Sequence, residues 1–148
     1  MRSGRRVGVD VGDVRIGIAV CDPDGMIATP LETVPAGPDA IGRLTAIVAE
    51  HEPLECVVGL PLSLNGREGP AAGKVRAFAT ALRDAIAPVP VRLFDERMST
   101  MTADGQLRES GRSGRGKRAI IDQVAATVIL QGALDAERTR GTAPGQTL

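Results

Sequence analysis

Three acidic residues stand inside or beside apolar stretches, where an uncompensated charge is costly. Asp10 lies in VGVDVG, Glu96 follows VRLFD, and Asp122 lies in RAIIDQVAATVIL. Each has an ordinary explanation when taken alone. Asp10 could cap a helix or pair with an arginine, Glu96 could end a solvated strand, and Asp122 could stabilise the positive end of a helix.

A shared site would explain all three acids at once. Oxygen ligands suit Mg²⁺ or Mn²⁺, and clustered carboxylates repel one another unless a cation lies between them. Two such ions about 4 Å apart can activate water and stabilise the leaving oxygen of a phosphodiester. We therefore predict that Asp10, Glu96 and Asp122 are metal ligands and catalytic residues.

Basic residues beside these acids are candidates for contacts with nucleic-acid phosphates, which position a backbone without reading its sequence. They are Arg15, Arg67, Lys74, Arg97, Arg112, Arg115, Lys117 and Arg118. The last four lie around GRSGRGK (111–117), whose Gly and Ser content predicts a mobile basic loop. The formal net charge of zero disfavours a protein that coats nucleic acid. Phe78 and Phe94 are the only aromatic residues, which disfavours base recognition by stacking.

The elements that must position these residues follow from hydrophobic patterning. Near-continuous small and β-branched runs predict strands buried on both faces, whereas a repeat of three to four residues predicts helices. The predicted strands are 7–11, 15–21, 26–34, 55–60 and 89–94. Predicted helices begin at Asp39, Pro70, Ser99 or Thr100, and Ala119, the last ending near Arg138. This order predicts an α/β fold with a five-stranded mixed sheet flanked by helices, a domain over 1–138 and a disordered tail over 139–148.

Alternation along the first strand places Gly8, Asp10 and Gly12 on one face of the sheet. Because glycine has no side chain, this face lacks bulk around the carboxylate. We expect the space to admit an ion or a phosphate.

Four stretches together resemble the YqgF family, also called RuvX, whose members are described as pre-16S rRNA nucleases or Holliday junction resolvase-like proteins. They are VGVDVGDVRIGIAVCD (7–22), VVGLPLSLNGREGPAAGKVRAFA (57–79), DERMST (95–100) and DQVAATVILQGALD (122–135). The resemblance implies a ribonuclease H-like fold and metal-dependent nuclease chemistry, with its acidic residues at Asp10, Glu96 and Asp122. It points to the 5′ end of precursor 16S rRNA as substrate, in ribosome biogenesis, with branched DNA as the second choice.

Two other functional classes are compatible with the sequence. VGVDVGDVRIG also resembles the first phosphate motif of actin-like and sugar-kinase ATPases, which need two such domains around a nucleotide. A non-catalytic RNA- or ribosome-binding module could carry the same acids as relics. The family often has other residues at the positions of Ser63, Asn65 and Ala133, so the resemblance does not predict the contacts of the 63–67 loop.

The remaining features indicate a cytoplasmic protein. Cys21 and Cys56 lie in apolar runs, which is typical of buried thiols in a reducing compartment. No apolar run approaches the roughly 18 residues of a membrane span, and the N-terminus lacks the apolar centre of a signal peptide. We expect a nucleic acid, precursor rRNA or branched DNA, as partner, and a monomer or homodimer.

Overall fold

The computed structural model describes residues 1–98 and 114–148, with the side chains of 98 and 114–120 left out. Its elements, in chain order, are β1 (Arg6–Val11), β2 (Arg15–Cys21), β3 (Ala28–Pro35), α1 (Ala40–His51), β4 (Glu55–Leu60), α2 (Pro70–Ile86), β5 (Val91–Asp95), a 3₁₀ turn (Glu96–Met98), α3 (Gly114–Arg140) and β6 (Gln146–Thr147). No helix in these ranges is both long and apolar enough to cross a bilayer.

The strands form one mixed sheet in the order β3-β2-β1-β4-β5-β6. The first three strands are an antiparallel meander, whereas β4 and β5 run parallel to β1. The C-terminal ends of β1, β4 and β5 therefore meet at one edge of the sheet, which we call the carboxyl edge. Asp10 lies near the end of β1, and Glu96 comes directly after β5, so the topology brings both acids to this edge.

Both faces of the sheet are covered, as the apolar strand sequences predicted. Val7, Val9 and Val58 pack with buried residues of α1 and α2 in one core. Val57 and Phe94 point to the opposite face, where they pack with Ala126, Ile129 and Leu130 of α3. Cys21 and Cys56 are both buried, in agreement with the sequence.

The largest differences from the sequence prediction lie in the last third of the chain. Helix α3 begins at Gly114, so the 111–117 segment is not wholly a loop: 114–117 are helical. Glycine and serine lower helix propensity only modestly, and one long apolar face can outweigh them. The helix predicted from Ser99 or Thr100 to Gly111 lies outside the described residues.

The prediction of a disordered tail over 139–148 is wrong. The helix continues to Arg140, and β6 pairs antiparallel with β5 as a sixth strand. Pro144 is buried, Arg92 donates a hydrogen bond to its carbonyl at 3.2 Å, and Leu148 packs against the core. The polar composition of the tail concealed these contacts because they are made to residues about fifty positions away.

Removal of residues 141–148 is expected to lower the free energy of unfolding by about 2 kcal/mol, since it deletes a strand pairing and exposes apolar surface. Urea denaturation monitored by circular dichroism measures this loss. Thr147→Ala, at an exposed position of β6, is the control and should stay within about 0.5 kcal/mol of the parent. Equal stability of the full-length and shortened chains would mean that the tail contributes nothing.

Buried charges at the other edge of the sheet, where β1 and β4 begin, are fully paired. Glu137 accepts hydrogen bonds from Arg2 at 2.6 Å and from buried Arg6 at 2.7 Å. Glu55 is held by Arg2 and Arg92, each at 3.0 Å. The two buried glutamates at this edge are thus each compensated by guanidinium groups.

Candidate functional site

Asp10 lies where β1 approaches the carboxyl edge, and its side chain is partly buried. It lines a cavity of about 390 Å³ together with Glu96, Pro61, Lys74 and other residues of the first turn and α2. No ion pair with a described residue compensates its carboxylate. Asp10 therefore differs from Glu55 and Glu137 at the opposite edge, whose charges are compensated by arginines.

Glu96 reaches the same cavity from the 3₁₀ turn after β5. Its Oε2 would lie 3.7 Å from a Cβ added at Gly59, which places the carboxylate over the end of β4. The preceding acid is used differently, because Asp95 accepts hydrogen bonds from Arg97 at 2.6 and 3.0 Å. The two neighbouring acids therefore differ: Asp95 is paired with Arg97, whereas Glu96 lines the cavity that contains Asp10.

Asp122 is brought to the sheet by a close approach between α3 and β2. A Cβ added at Gly17 would overlap the backbone carbonyl of Asp122, so the helix backbone rests directly on this glycine. Gly17 is the cross-strand partner of Asp10 in the β1–β2 ladder. The missing side chain at Gly17 therefore lets α3 place Asp122 beside Asp10.

Gly8, two residues before Asp10 in β1, also allows α3 to pack closely on the sheet. This corrects the expectation about the space around Asp10. The bare face around Asp10 was expected to leave room for an ion or a phosphate. At Gly8 that space is filled by α3, since an added Cβ would lie 2.7 Å from Cβ of Leu130. Gly8 and Gly17 therefore serve helix packing, whereas Gly12 lines the cavity that opens beyond Asp10 at the carboxyl edge.

The acids at the carboxyl edge interact electrostatically. Burial, and then the negative charges of Glu96 and Asp122, raise the pKa of Asp10 from 3.8 to about 7. Burial, and then the charge of Asp95, raise the pKa of Glu96. A carboxyl group that is half protonated at neutral pH, with two acids as its neighbours, is an environment that a bound cation would stabilise.

The donor set fits a hard divalent cation in its chemistry, because it consists of carboxylate oxygens at a partly buried position. The arrangement is not closed around one point, however. Within 1–98 and 114–148, no group of three or more His, Cys, Asp or Glu side chains lies close enough together to hold a metal ion. The structure thus brings the three acids to one edge without assembling them into a finished ligand cage.

Arg15 is paired with one of the three acids, Asp122. It was predicted to contact phosphate, yet its Nε donates to Oδ2 of Asp122 at 2.9 Å. Both side chains are partly exposed, at 33% and 18%. Asp122 therefore has a guanidinium partner, which Asp10 lacks among the described residues.

The other basic candidates fall into two groups. Lys74 lines the cavity, and its Nζ lies 3.4 Å from Oδ1 of Asp13. Arg67 and Arg97 are exposed and follow the ends of β4 and β5 at the carboxyl edge. Arg112 lies outside the described residues, as do the side chains of Arg115, Lys117 and Arg118, although the backbone of these three belongs to α3.

Sequence reasoning missed Gly17 as a residue that builds the site. The available signal was a glycine inside a strand, which often marks close approach by another backbone. It also missed the cavity wall formed by Ala71, Val75 and Phe78 of α2, because apolar residues on a helix are normally assigned to the core.

Comparison with known proteins gives a consistent result. A family model described as "RuvX: Holliday junction resolvase" matches residues 4–136. A Streptomyces avermitilis protein named "Putative pre-16S rRNA nuclease" is 61% identical over 99% of this chain and 95% of its own length. A Nocardioides relative with the same name is 56% identical over 99% of this chain and 97% of its own length.

Among solved structures, Thermus thermophilus RuvC in complex with a Holliday junction superposes with a TM-score of 0.61, covering 97% of this chain and 99% of RuvC. The two sequences are 20% identical, so this likeness shows a shared fold.

Proposed function

The chain belongs to the RuvX family, as its four sequence stretches predicted, and from this premise we propose that it is a metal-dependent nuclease that hydrolyses phosphodiester bonds. Its ribonuclease H-like fold agrees with the sequence prediction, apart from the additional sixth strand. We further propose precursor 16S rRNA, processed at its 5′ end, as the substrate, following the names of its relatives.

The observation that carries the proposal is the contrast between the two edges of the sheet. Buried carboxylates at one edge are paired with arginines, whereas Asp10 at the carboxyl edge has carboxylates as its electrostatic neighbours and an open cavity in front of it. Such a charge arrangement costs stability unless a cation offsets it. It is typical of a functional site.

In this proposal Asp10, Glu96 and Asp122 would hold Mg²⁺ or Mn²⁺. When bound, such a metal lowers the pKa of a water molecule and stabilises the charge on the leaving oxygen. Lys74 at the cavity wall would attract the phosphate backbone. Arg15 would hold the carboxylate of Asp122 in position and neutralise part of the negative charge that the substrate must approach.

The test is cleavage by purified protein of a precursor 16S rRNA fragment, single-stranded RNA and DNA, and a four-way DNA junction, each with Mg²⁺, Mn²⁺ or EDTA. We expect cuts at the mature 5′ end that require metal. Cleavage confined to the junction, by a dimer, would instead support the second candidate, a Holliday junction resolvase, which the family description favours. Absence of metal-dependent cleavage of every substrate would leave a non-catalytic module.

Metal affinity is expected to rise with pH because Asp10 must lose its proton to bind a cation. With its pKa raised to about 7, the folded protein holds this proton more tightly than the unfolded chain does. The free energy of unfolding of the metal-free protein therefore falls as pH rises from 3.8 to about 7. Over the same range Mn²⁺ affinity should rise, by up to about tenfold per pH unit below pH 7.

Calorimetric titration with Mn²⁺ between pH 5.5 and 8.5, in buffers of different ionisation enthalpy, measures both affinity and proton release. We expect release of up to one proton near pH 6 and little above pH 8. Asp10→Asn is the control and should lose most of the pH dependence. An affinity that stays constant between pH 6 and 8 would contradict the assignment of Asp10 as a ligand.

A further inference from the structure

One apolar side chain at the carboxyl edge is almost completely exposed to water. Leu64 is 99% exposed, more than any other large apolar residue in the described ranges; the next is Val14 at 66%. Isolated apolar residues are common on protein surfaces. Exposure alone therefore carries no conclusion, and the surroundings of Leu64 decide what it can do.

The loop that carries Leu64 is held in one conformation by its own hydrogen bonds. The amide of Ser63 donates to the carbonyl of Arg67 at 2.9 Å, and the amide of Gly66 donates to the carbonyl of Ser63 at 2.8 Å. The Arg67 amide also donates to side-chain oxygens of Ser63 and Asn65, at 3.2 and 3.1 Å. Gly66 has a φ of +82°, a conformation that favours glycine. The chain thus holds a leucine in water on an ordered turn.

This turn is joined to the candidate site. Arg97, the residue after Glu96, donates to the carbonyl oxygens of Ser63 and Leu64 at 3.3 and 3.4 Å. Pro61, three residues before Leu64, lines the cavity that contains Asp10 and Glu96. The turn that carries the exposed leucine is therefore joined to residues beside that cavity, and Arg67 is exposed on the same turn.

The chemistry of the turn suits a paired nucleic acid. Aliphatic side chains such as leucine can insert between neighbouring bases and unstack them, while nearby cations bind phosphates. Aromatic rings are not available for this purpose, since the chain has no Tyr or Trp, Phe94 is buried and Phe78 lies in the cavity wall. A leucine separates bases without distinguishing among them, and phosphate contacts are likewise independent of base sequence.

We propose that Leu64 is a wedge that inserts at the end of a base-paired segment and directs the separated strand towards Asp10 and Glu96. This inference rests on the proposed nuclease function and names the kind of substrate that the site takes, a strand that leaves a duplex.

The test uses an RNA hairpin with a 5′ single-stranded extension and 2-aminopurine in its last base pair, whose fluorescence rises on unstacking. Asp10→Asn protein is used to prevent cleavage, with Leu64 intact or changed to Ser. Ile27→Ser is the matched control, because Ile27 is 61% exposed and precedes β3 at the opposite edge. We expect a severalfold rise in fluorescence with intact Leu64 and with Ile27→Ser, a response near that of free RNA with Leu64→Ser, and recovery with Leu64→Met.

The second arm measures cleavage with Asp10 intact. Because Leu64→Ser removes the side chain that would keep the strands apart, it should lower the ratio of kcat/KM for the hairpin to kcat/KM for single-stranded RNA about tenfold. An unchanged fluorescence response in Leu64→Ser, or failure of the parent to bind or unstack the hairpin, would overturn the wedge. Absence of cleavage by the parent would overturn the nuclease function, while the fluorescence arm would still decide the wedge.

Discussion

Asp10→Asn is expected to lower the rate of phosphodiester cleavage by about 10³-fold or more, equivalent to ~4 kcal/mol in activation free energy. Asparagine keeps the size of the side chain and one oxygen, but it has no negative charge with which to hold a divalent cation. The effect should appear in kcat under saturating substrate, measured at pH 7.5 with Mg²⁺ and with Mn²⁺. Asp84→Asn, which changes an exposed carboxylate on α2, is the control and should stay within about threefold of the parent.

The same substitution is expected to stabilise the metal-free protein, by about 1 kcal/mol or more at pH 8, because it removes an ionised group that burial and two acidic neighbours disfavour. Thermal unfolding in EDTA measures this gain. A residue retained for its charge at a cost in stability is typical of function. Parental cleavage by Asp10→Asn would rule out the proposed role, and lower stability would contradict the electrostatic account of Asp10.

Gly17→Ala is expected to disrupt the site from a position that touches no substrate. The added methyl would overlap the carbonyl oxygen and carbon of Asp122, which are backbone atoms and cannot rotate away. Helix α3 must then move off β2, at a cost of about 3 kcal/mol in the free energy of unfolding. Displacement of a catalytic group by about 1 Å can reduce the rate about 10²-fold, so we expect a similar loss of cleavage.

Urea denaturation and cleavage assays at 15 °C, where the variant remains folded, separate the two effects. Gly132→Ala is the matched control in α3 itself, since its added methyl would lie 3.7 Å from Cζ of Phe94, an ordinary contact. Alanine should even stabilise that helical position, by about 0.5–1 kcal/mol. Equal behaviour of the two glycine variants would show that the contact between Gly17 and Asp122 does not position the acid.

The sequence by itself determined five of the six described strands and identified three candidate acids. Runs such as RVGVDV and ECVVGL are short and rich in valine, which favours buried strands over helices, and their boundaries agree with the structure to within a residue or two. Asp10, Glu96 and Asp122 were recognisable because a carboxylate beside buried apolar residues needs a partner wherever it occurs. Both signals are local: neighbouring residues along the chain contain them completely.

Only the tertiary structure decided what each charge meets. Arg15 pairs with Asp122, 107 positions away, and the 141–148 tail is ordered by contacts with β5 and Arg92. Nothing in the local sequence distinguishes Gly17 from other strand glycines, and its role follows only from the packing of α3 against it. Such contacts depend on where distant segments pack, and packing is decided by the shape of the whole core. Hydrophobic periodicity reports which face of an element is buried, but not which residue of another element will cover it.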